Sequence, residues 1–204
     1  MKERPILFSA PMVNAILNGT KTVTRRTVKL PNGCVFGNDY AGQIIDTKHQ
    51  NMPGHDIEFP IDELHCSYGQ VGDQLWVREA WRWNDGTECG CSEFCHHSGA
   101  GYEYRATGAG DEDTKWKPSI HMPRKASRIQ LEITGVRVER LQDISEEDAK
   151  AEGGPDILGF EHDTVKHGWQ SYSEWYLWLW ESINGAGSWA ANPWVWVIEF
   201  RRVE

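Results

Sequence analysis

"NPWVWVIEFRRV", residues 192–203, alternates Trp194, Trp196, Ile198 and Phe200 with Val195, Val197 and Glu199. A period of two marks a strand, because successive side chains point to opposite faces of a sheet. The same period recurs upstream in "IQLEITGVRVERL", residues 129–141, where Leu131 and Ile133 share a face and Gly135 marks a bulge before Val136 and Val138 resume. In "GQVGDQLWVREAWRW", residues 69–83, a turn at Gly72 and Asp73 leads into a strand alternating Leu75 and Val77 with Trp76 and Arg78. "GYEYRA", residues 101–106, reads as a further strand.

Helices are fewer. Ser9 is placed to cap a short one through Pro11, Met12, Val13, Ile16 and Leu17, which Gly19 ends. In "ISEEDAKAEG", residues 144–153, Ser145 and Asp148 have the spacing of a capping box and Gly153 supplies the C-terminal stop. "EWYLWLWESI", residues 174–183, follows Ser171 and Ser173 and is apolar round most of its circumference, which predicts a largely buried helix. With 20 glycines and 9 prolines in 204 residues, turns outnumber long helices. The expectation is one α+β domain over residues 1–204, interrupted by loop-rich insertions at about 31–68 and 84–101. The tryptophans between 175 and 196 are read as core, whereas Trp81, Trp83 and Trp116, beside basic segments, are the candidates for stacking on a base.

A formal net charge of -9 excludes a protein that coats nucleic acid by bulk electrostatics. The charge is nonetheless uneven, with seven Lys or Arg against two Glu from Lys115 to Arg140, then eight acids against one Lys from Leu141 to Asp163. Such a contrast suits either a ligand held by few specific contacts or a dipolar surface with none. No stretch has the length and apolarity of a membrane span, and "MKERPILFSAPM" has no signal-like apolar run, so a cytoplasmic setting is expected. "CGCSEFCHH" gathers Cys89, Cys91, Cys95, His96 and His97 within nine residues. Cys89, Cys91, Cys95 and His97 are candidate ligands for a structural zinc, with Cys66 a further candidate; free thiols are the alternative, and no organic cofactor is expected.

"GTKTVTRR", residues 19–26, sets a lysine, threonines and two adjacent arginines directly after the first helix. Together with "GDQLWVRE", "ISEEDAKAEG" and a last strand ending "VIEF", in that order, it resembles the ASCH domain family. The resemblance covers residues 5–30, 69–83 and about 102–203. "KPSIHMPR" and "SINGAGSWAANPWVWVIEF" are similar to the longer, phage and prophage members. It implies a small PUA-like β-barrel with packed helices, and a cleft for RNA, a nucleoside or a modified base. In one subgroup it implies an amidohydrolase of N4-acylcytidine nucleosides that uses a lysine, a threonine and a glutamate, which fall here on Lys21, Thr24 and Glu152. Many members carry an acidic residue where Thr24 stands.

The residues themselves are compatible with that chemistry. Amide hydrolysis needs a nucleophile, a base and an acid for the leaving amine. Thr24 supplies a hydroxyl, a neutral Lys21 amine would be a base, and Glu152 would orient it or move protons. Arg25 and Arg26 would lower the lysine pKa and Glu152 would raise it. Positions 21 and 24 face opposite ways on a regular strand, so a shared site requires irregular backbone between them. Arg78, Glu79, His121 and Arg124 are further candidates for contacting substrate. In the competing readings, Lys21, Arg25 and Arg26 clamp a phosphate or pair with the acidic helix, or the chain is a non-enzymatic phage accessory or morphogenetic protein that binds a protein partner.

Overall fold

A computed structural model describes residues 1–37, 43–52, 55–84, 101–108, 114–155 and 168–203. In chain order the elements are β1 (Glu3–Leu7), α1 (Ala10–Leu17), β2 (Val23–Thr27), β3 (Cys34–Phe36), β4 (Gln43–Met52) and β5 (His55–Pro60). They continue with β6 (Gln74–Arg78), β7 (Trp81–Asn84), β8 (Gly101–Tyr104), β9 (Gln130–Arg140), α2 (Glu146–Ala151), α3 (Tyr172–Asn184) and β10 (Trp194–Arg202). The fold is α+β, mostly sheet with few helices. Its main sheet has the order β1-β6-β9-β10-β2, antiparallel except for the parallel pair β1 and β6.

The alternation in β10 has a direct cause: both of its faces are covered. Trp196, Ile198 and Phe200 join a core with Ile6, Phe8, Leu75, Val77, Leu131 and Ile133, which α1 caps through Val13 and Ile16. Val195 and Val197 point the other way, into a second core with Leu141 and Ala149 and with Trp175, Tyr176 and Trp180 of α3. Gly135 sits at the bulge expected of it, where the pairing steps from Glu199–Gly135 to Phe200–Ile133. A Cβ there would meet the Glu199 carboxylate oxygen at 2.7 Å.

The caps divide. Ser145 Oγ accepts from the Asp148 amide at 3.1 Å and Ser171 Oγ from the Glu174 amide at 3.2 Å, whereas Ser9 starts α1 without a side-chain cap bond. The expectation that α3 is largely buried holds for Trp175, Tyr176 and Trp180, which pack into the second core, whereas Trp178 and Ile183 are about half exposed.

Two further expectations change. The segment read as loops at 31–68 holds an antiparallel sheet in the order β3-β4-β5. Its strands are drawn together by main-chain pairing that a polar, weakly periodic sequence does not advertise. The expected barrel is an open sheet among the described residues, with β1 and β2 as its edges. Pro5 in β1 has no N–H to offer a closing ladder. One side chain spans the gap instead: Arg26 of β2 donates from Nη2 to the Leu7 carbonyl of β1 at 2.6 Å. No helix among the described residues is long and apolar enough to cross a membrane.

Ile198 is fully buried where β10 faces the first core. Its truncation, Ile198→Ala, is expected to cost about 2–5 kcal/mol, against about 1 kcal/mol for the cap variant Ser145→Ala, in urea unfolding followed by tryptophan fluorescence.

Candidate functional site

The site begins where α1 stops. Gly19 has φ +76°, a conformation that favours glycine, and turns the chain back so that the Thr20 and Lys21 amides both donate to the Ala15 carbonyl. Lys21 then forms an isolated antiparallel bridge with Glu152, and the Thr22 amide donates to the Ala151 carbonyl. The regular strand starts only at Val23. This is the irregular backbone that a shared site for Lys21 and Thr24 requires. On the other side, Glu152 is the residue on which α2 ends, and Gly153 follows at φ +97°. A Cβ on Gly153 would meet Ala15 at 3.0 Å and Lys21 at 3.3 Å, so a side chain there would push the two partners apart.

Lys21 and Glu152 are 2% and 3% exposed, which makes their interaction a buried ion pair. Lys21 Nζ donates to Glu152 Oε2 at 2.5 Å, to the Glu152 carbonyl at 2.7 Å and to the Val23 carbonyl at 2.9 Å. Burial pulls the lysine below its ordinary pKa, while the Glu152 carboxylate opposes that shift. Three acceptors surround Nζ, which match the three protons of an ammonium.

Arg25, also buried, extends the network. Its Nη2 donates to Glu139 at 2.5 Å and to Asp148 at 2.6 Å, and Arg137 binds Asp148, Glu139 and Glu199. The pairing of the arginines with the acidic helix is thus real for Arg25, while Arg26 turns away to Leu7.

A cavity of about 250 Å³ opens beside this network. It is lined by Thr24, Arg25, Arg26 and Thr27 of β2, Glu152, Met12 of α1, Tyr68, and Tyr176, Leu179 and Trp180 of α3, with Lys29 and Asn184 among its other lining residues. Lys21 lies behind Glu152 and does not line it. Several buried polar atoms of the lining have no hydrogen-bond partner among the described residues: Glu152 Oε1, Arg25 Nε and Nη1, and Trp180 Nε1. Glu152 Oε1 and Arg25 Nη1 stand 3.6 Å apart, an ion pair too long for a good hydrogen bond. Unsatisfied buried polar groups are rare and costly in folded proteins. Four such atoms, one acceptor and three donors, belong to residues that line this cavity. Burial raises the Tyr176 phenol well above its ordinary pKa, and the Glu152 charge adds to the shift.

The structure therefore brings together Lys21, Thr24, Arg25, Arg26 and Glu152. It does not bring Arg78, Glu79, His121 or Arg124 to this cavity. Arg78 binds the Ile120 carbonyl, Glu79 is buried in a two-bond pair with Arg128 at 2.9 and 3.0 Å, Arg124 pairs with Glu3 at 2.9 Å, and His121 is exposed. Of the stacking candidates, Trp81 is buried in a small core with Met122 and Ala126, Trp116 lies under Arg82, and Trp83 is half exposed. Tyr176 and Trp180 are site residues that sequence reasoning assigned to the core, and no spacing signal distinguishes them from their neighbours in α3. The proposed zinc ligands Cys89, Cys91, Cys95 and His97 lie outside the described residues. Among those described, no group of three or more His, Cys, Asp or Glu is arranged to hold a metal, and Cys66 packs against the first core.

Two measurements test this electrostatic description. Lys21→Met strands the Glu152 carboxylate and should lower stability by about 3–5 kcal/mol, whereas Lys21→Met with Glu152→Leu should lose clearly less in the same urea titration. The raised Tyr176 pKa means the unfolded chain ionises first as pH climbs past about 10, so stability falls there. Tyr176→Phe should flatten that alkaline loss while leaving the melting temperature at pH 7 to 8 less affected.

In comparisons with known proteins, no family model, no curated protein and no solved structure matches this chain.

Proposed function

We propose that the chain recognises a nucleobase, free as a nucleoside or within RNA, in the cavity between β2 and α3. The single observation that carries this reading is the set of buried, unpartnered atoms of Glu152, Arg25 and Trp180 in one wall. A planar heterocycle with donors and acceptors on its edge satisfies such a set, and the flanking Met12, Tyr68 and Leu179 offer apolar and aromatic surface to its faces. The cavity is smaller than the roughly 300–1,000 Å³ typical of drug-sized ligands, which favours a single base. The resemblance to ASCH domains points the same way, and the PUA-like fold goes with it: an open sheet whose edges are spanned by Arg26 is one ladder short of a barrel.

A second reading, hydrolysis of an N4-acylcytidine-type amide, is favoured by the presence of the Thr24 hydroxyl and the Glu152 carboxylate in the same cavity. In this scheme Glu152 takes the Thr24 proton as the hydroxyl oxygen adds to the acyl carbon. The C–N bond then breaks, and Glu152 returns the proton to the leaving amine. Water attacks the resulting threonyl ester with Glu152 again as base, so the net reaction is amide plus water to carboxylic acid plus amine. Lys21, seated as a cation, fixes the carboxylate and does not itself abstract a proton.

Incubation with N4-acetylcytidine, followed by the absorbance change on deacylation, separates the readings. Turnover by the wild type that falls about 10²–10⁴-fold in Glu152→Gln, and is lost in Thr24→Ala, is the expected result for a hydrolase. Binding of cytidine or of a short RNA without turnover supports recognition alone. Absence of both overturns both and leaves the accessory protein that binds a protein partner.

A further inference from the structure

Glu152 Oε1, Arg25 Nε and Nη1, and Trp180 Nε1 have neither a hydrogen-bond partner among the described residues nor accessible surface to find one in solvent. Their pairing requires a wall of the cavity to move. The β2 wall is fixed, because Arg25 is tied to Glu139 and Asp148, and Glu152 to Lys21. The opposite wall is α3, through Tyr176, Leu179, Trp180, Ile183 and Asn184.

The two ends of α3 are held differently. At its start, the Glu146 carboxylate of α2 accepts from the Tyr172 amide at 2.8 Å, from the Ser173 amide at 3.1 Å and from the Ser173 hydroxyl. From residue 179 onward, the hydrogen bonds among the described residues stay within the helix and the turn after it. Ser182 Oγ donates to the Leu179 carbonyl at 2.7 Å, Asn184 Nδ2 to the Trp180 carbonyl at 3.0 Å, and the Gly187 amide to Glu181 Oε1 at 3.0 Å. Gly185 and Gly187 follow at φ +95° and +80°, where glycine alone is at ease, with open space around both. The chain is fixed again beyond them, where Gln142 donates to the Trp189 carbonyl at 3.0 Å and Arg140 to the Asn192 carbonyl at 3.1 Å. Residues 179–188 thus span two anchored points and meet the sheet through apolar contacts of Leu179 and Trp180.

We infer that residues 179–188 are a gate: the last turns of α3 lift from β2 on the hinge at Gly185 and Gly187, admit a polar ligand, and close over it. The closed form buries the Trp180 ring but leaves four polar atoms unpaired, and the open form reverses both terms. These opposing terms keep the two forms close in free energy. A ligand that pairs with those atoms removes the cost of closing. The gate needs no particular ligand, so it stands apart from base recognition.

Thr24 is 3% exposed on the cavity wall, so the labelling rate of Thr24→Cys by a thiol reagent, mapped by peptide mass to separate it from the native cysteines, reports opening. It should label about 100-fold faster than Ile198→Cys in the closed core, at a rate that low urea leaves unchanged. Trp180→Phe, which keeps a ring and removes the unpaired N–H, should slow it about tenfold. Labelling that keeps pace with Ile198→Cys and rises with urea, labelling as fast as in the unfolded chain, or a rate unmoved by Trp180→Phe each overturn the gate. Hydrogen exchange needs no cysteine variant. Amides 181–185 should exchange by a urea-insensitive opening that Trp180→Phe slows about tenfold, while those of Val197 and Ile198 await global unfolding. Ordinary fraying of a helix end is indifferent to an indole N–H, so exchange at 181–185 that is equal in the two proteins also overturns the gate.

Discussion

The site depends on one buried ion pair, Lys21 with Glu152, and on what that pair demands of the chain around it. Taking an ammonium and a carboxylate out of water costs several kcal/mol each unless the remaining donors and acceptors are matched. Lys21 is matched completely, by one carboxylate oxygen and two carbonyls. Glu152 is matched on one oxygen only. The asymmetry separates the two oxygens: the lysine holds one, and the other is left with only the Arg25 guanidinium at 3.6 Å. It also explains the local backbone. Glu152 must terminate α2, Gly153 must turn without a side chain, and the strand must be irregular until Val23, because each brings the two charges to hydrogen-bonding distance from positions 131 residues apart.

Around this pair the sheet acts as a partition. β10 commits one row of side chains to each of two cores, which fixes α1 on one side of β2 and α2 with α3 on the other. The cavity lies along the edge of β2, where α1 and α3 both contribute to its lining. The charged groups of that edge are held by Glu139, Asp148 and Arg137, so the Arg25 guanidinium is fixed in place beside the cavity. A preorganised polar wall of this kind costs a ligand little reorganisation on binding.

Much of this was legible in the residues. Period-two alternation located β6, β9 and β10, serine caps located α2 and α3, and "GTKTVTRR" with "SEEDAKAE" supplied five residues of the site. What escaped notice has physical reasons. β1 is five residues long with a central proline, too short and too interrupted to show a period, yet it makes the sheet's parallel pair. β4, "QIIDTKHQNM", gains its strand character from main-chain pairing with β3 and β5 on either side. Tyr176 and Trp180 belong to a helix whose apolar spacing is that of a core, and both are buried; only the unpartnered indole N–H distinguishes Trp180, which no sequence pattern encodes. Arg78, Glu79, His121 and Arg124 were grouped with the site because their residue types suit it, but residue type carries no information about which end of a sheet a strand delivers them to.

The ribbon formed by β7 and β8 ends on the cross-strand pair Asn84 and Gly101. Whatever the intervening segment contains, it departs from and returns to neighbouring points on one paired ladder. Closing a loop on such a base grows costlier only with the logarithm of its length, by about 0.6 kcal/mol per doubling. That ribbon is therefore a port: among the described residues its two strands pair with each other and not with the main sheet, so insertions of quite different size and chemistry can be mounted on it without disturbing that sheet's register.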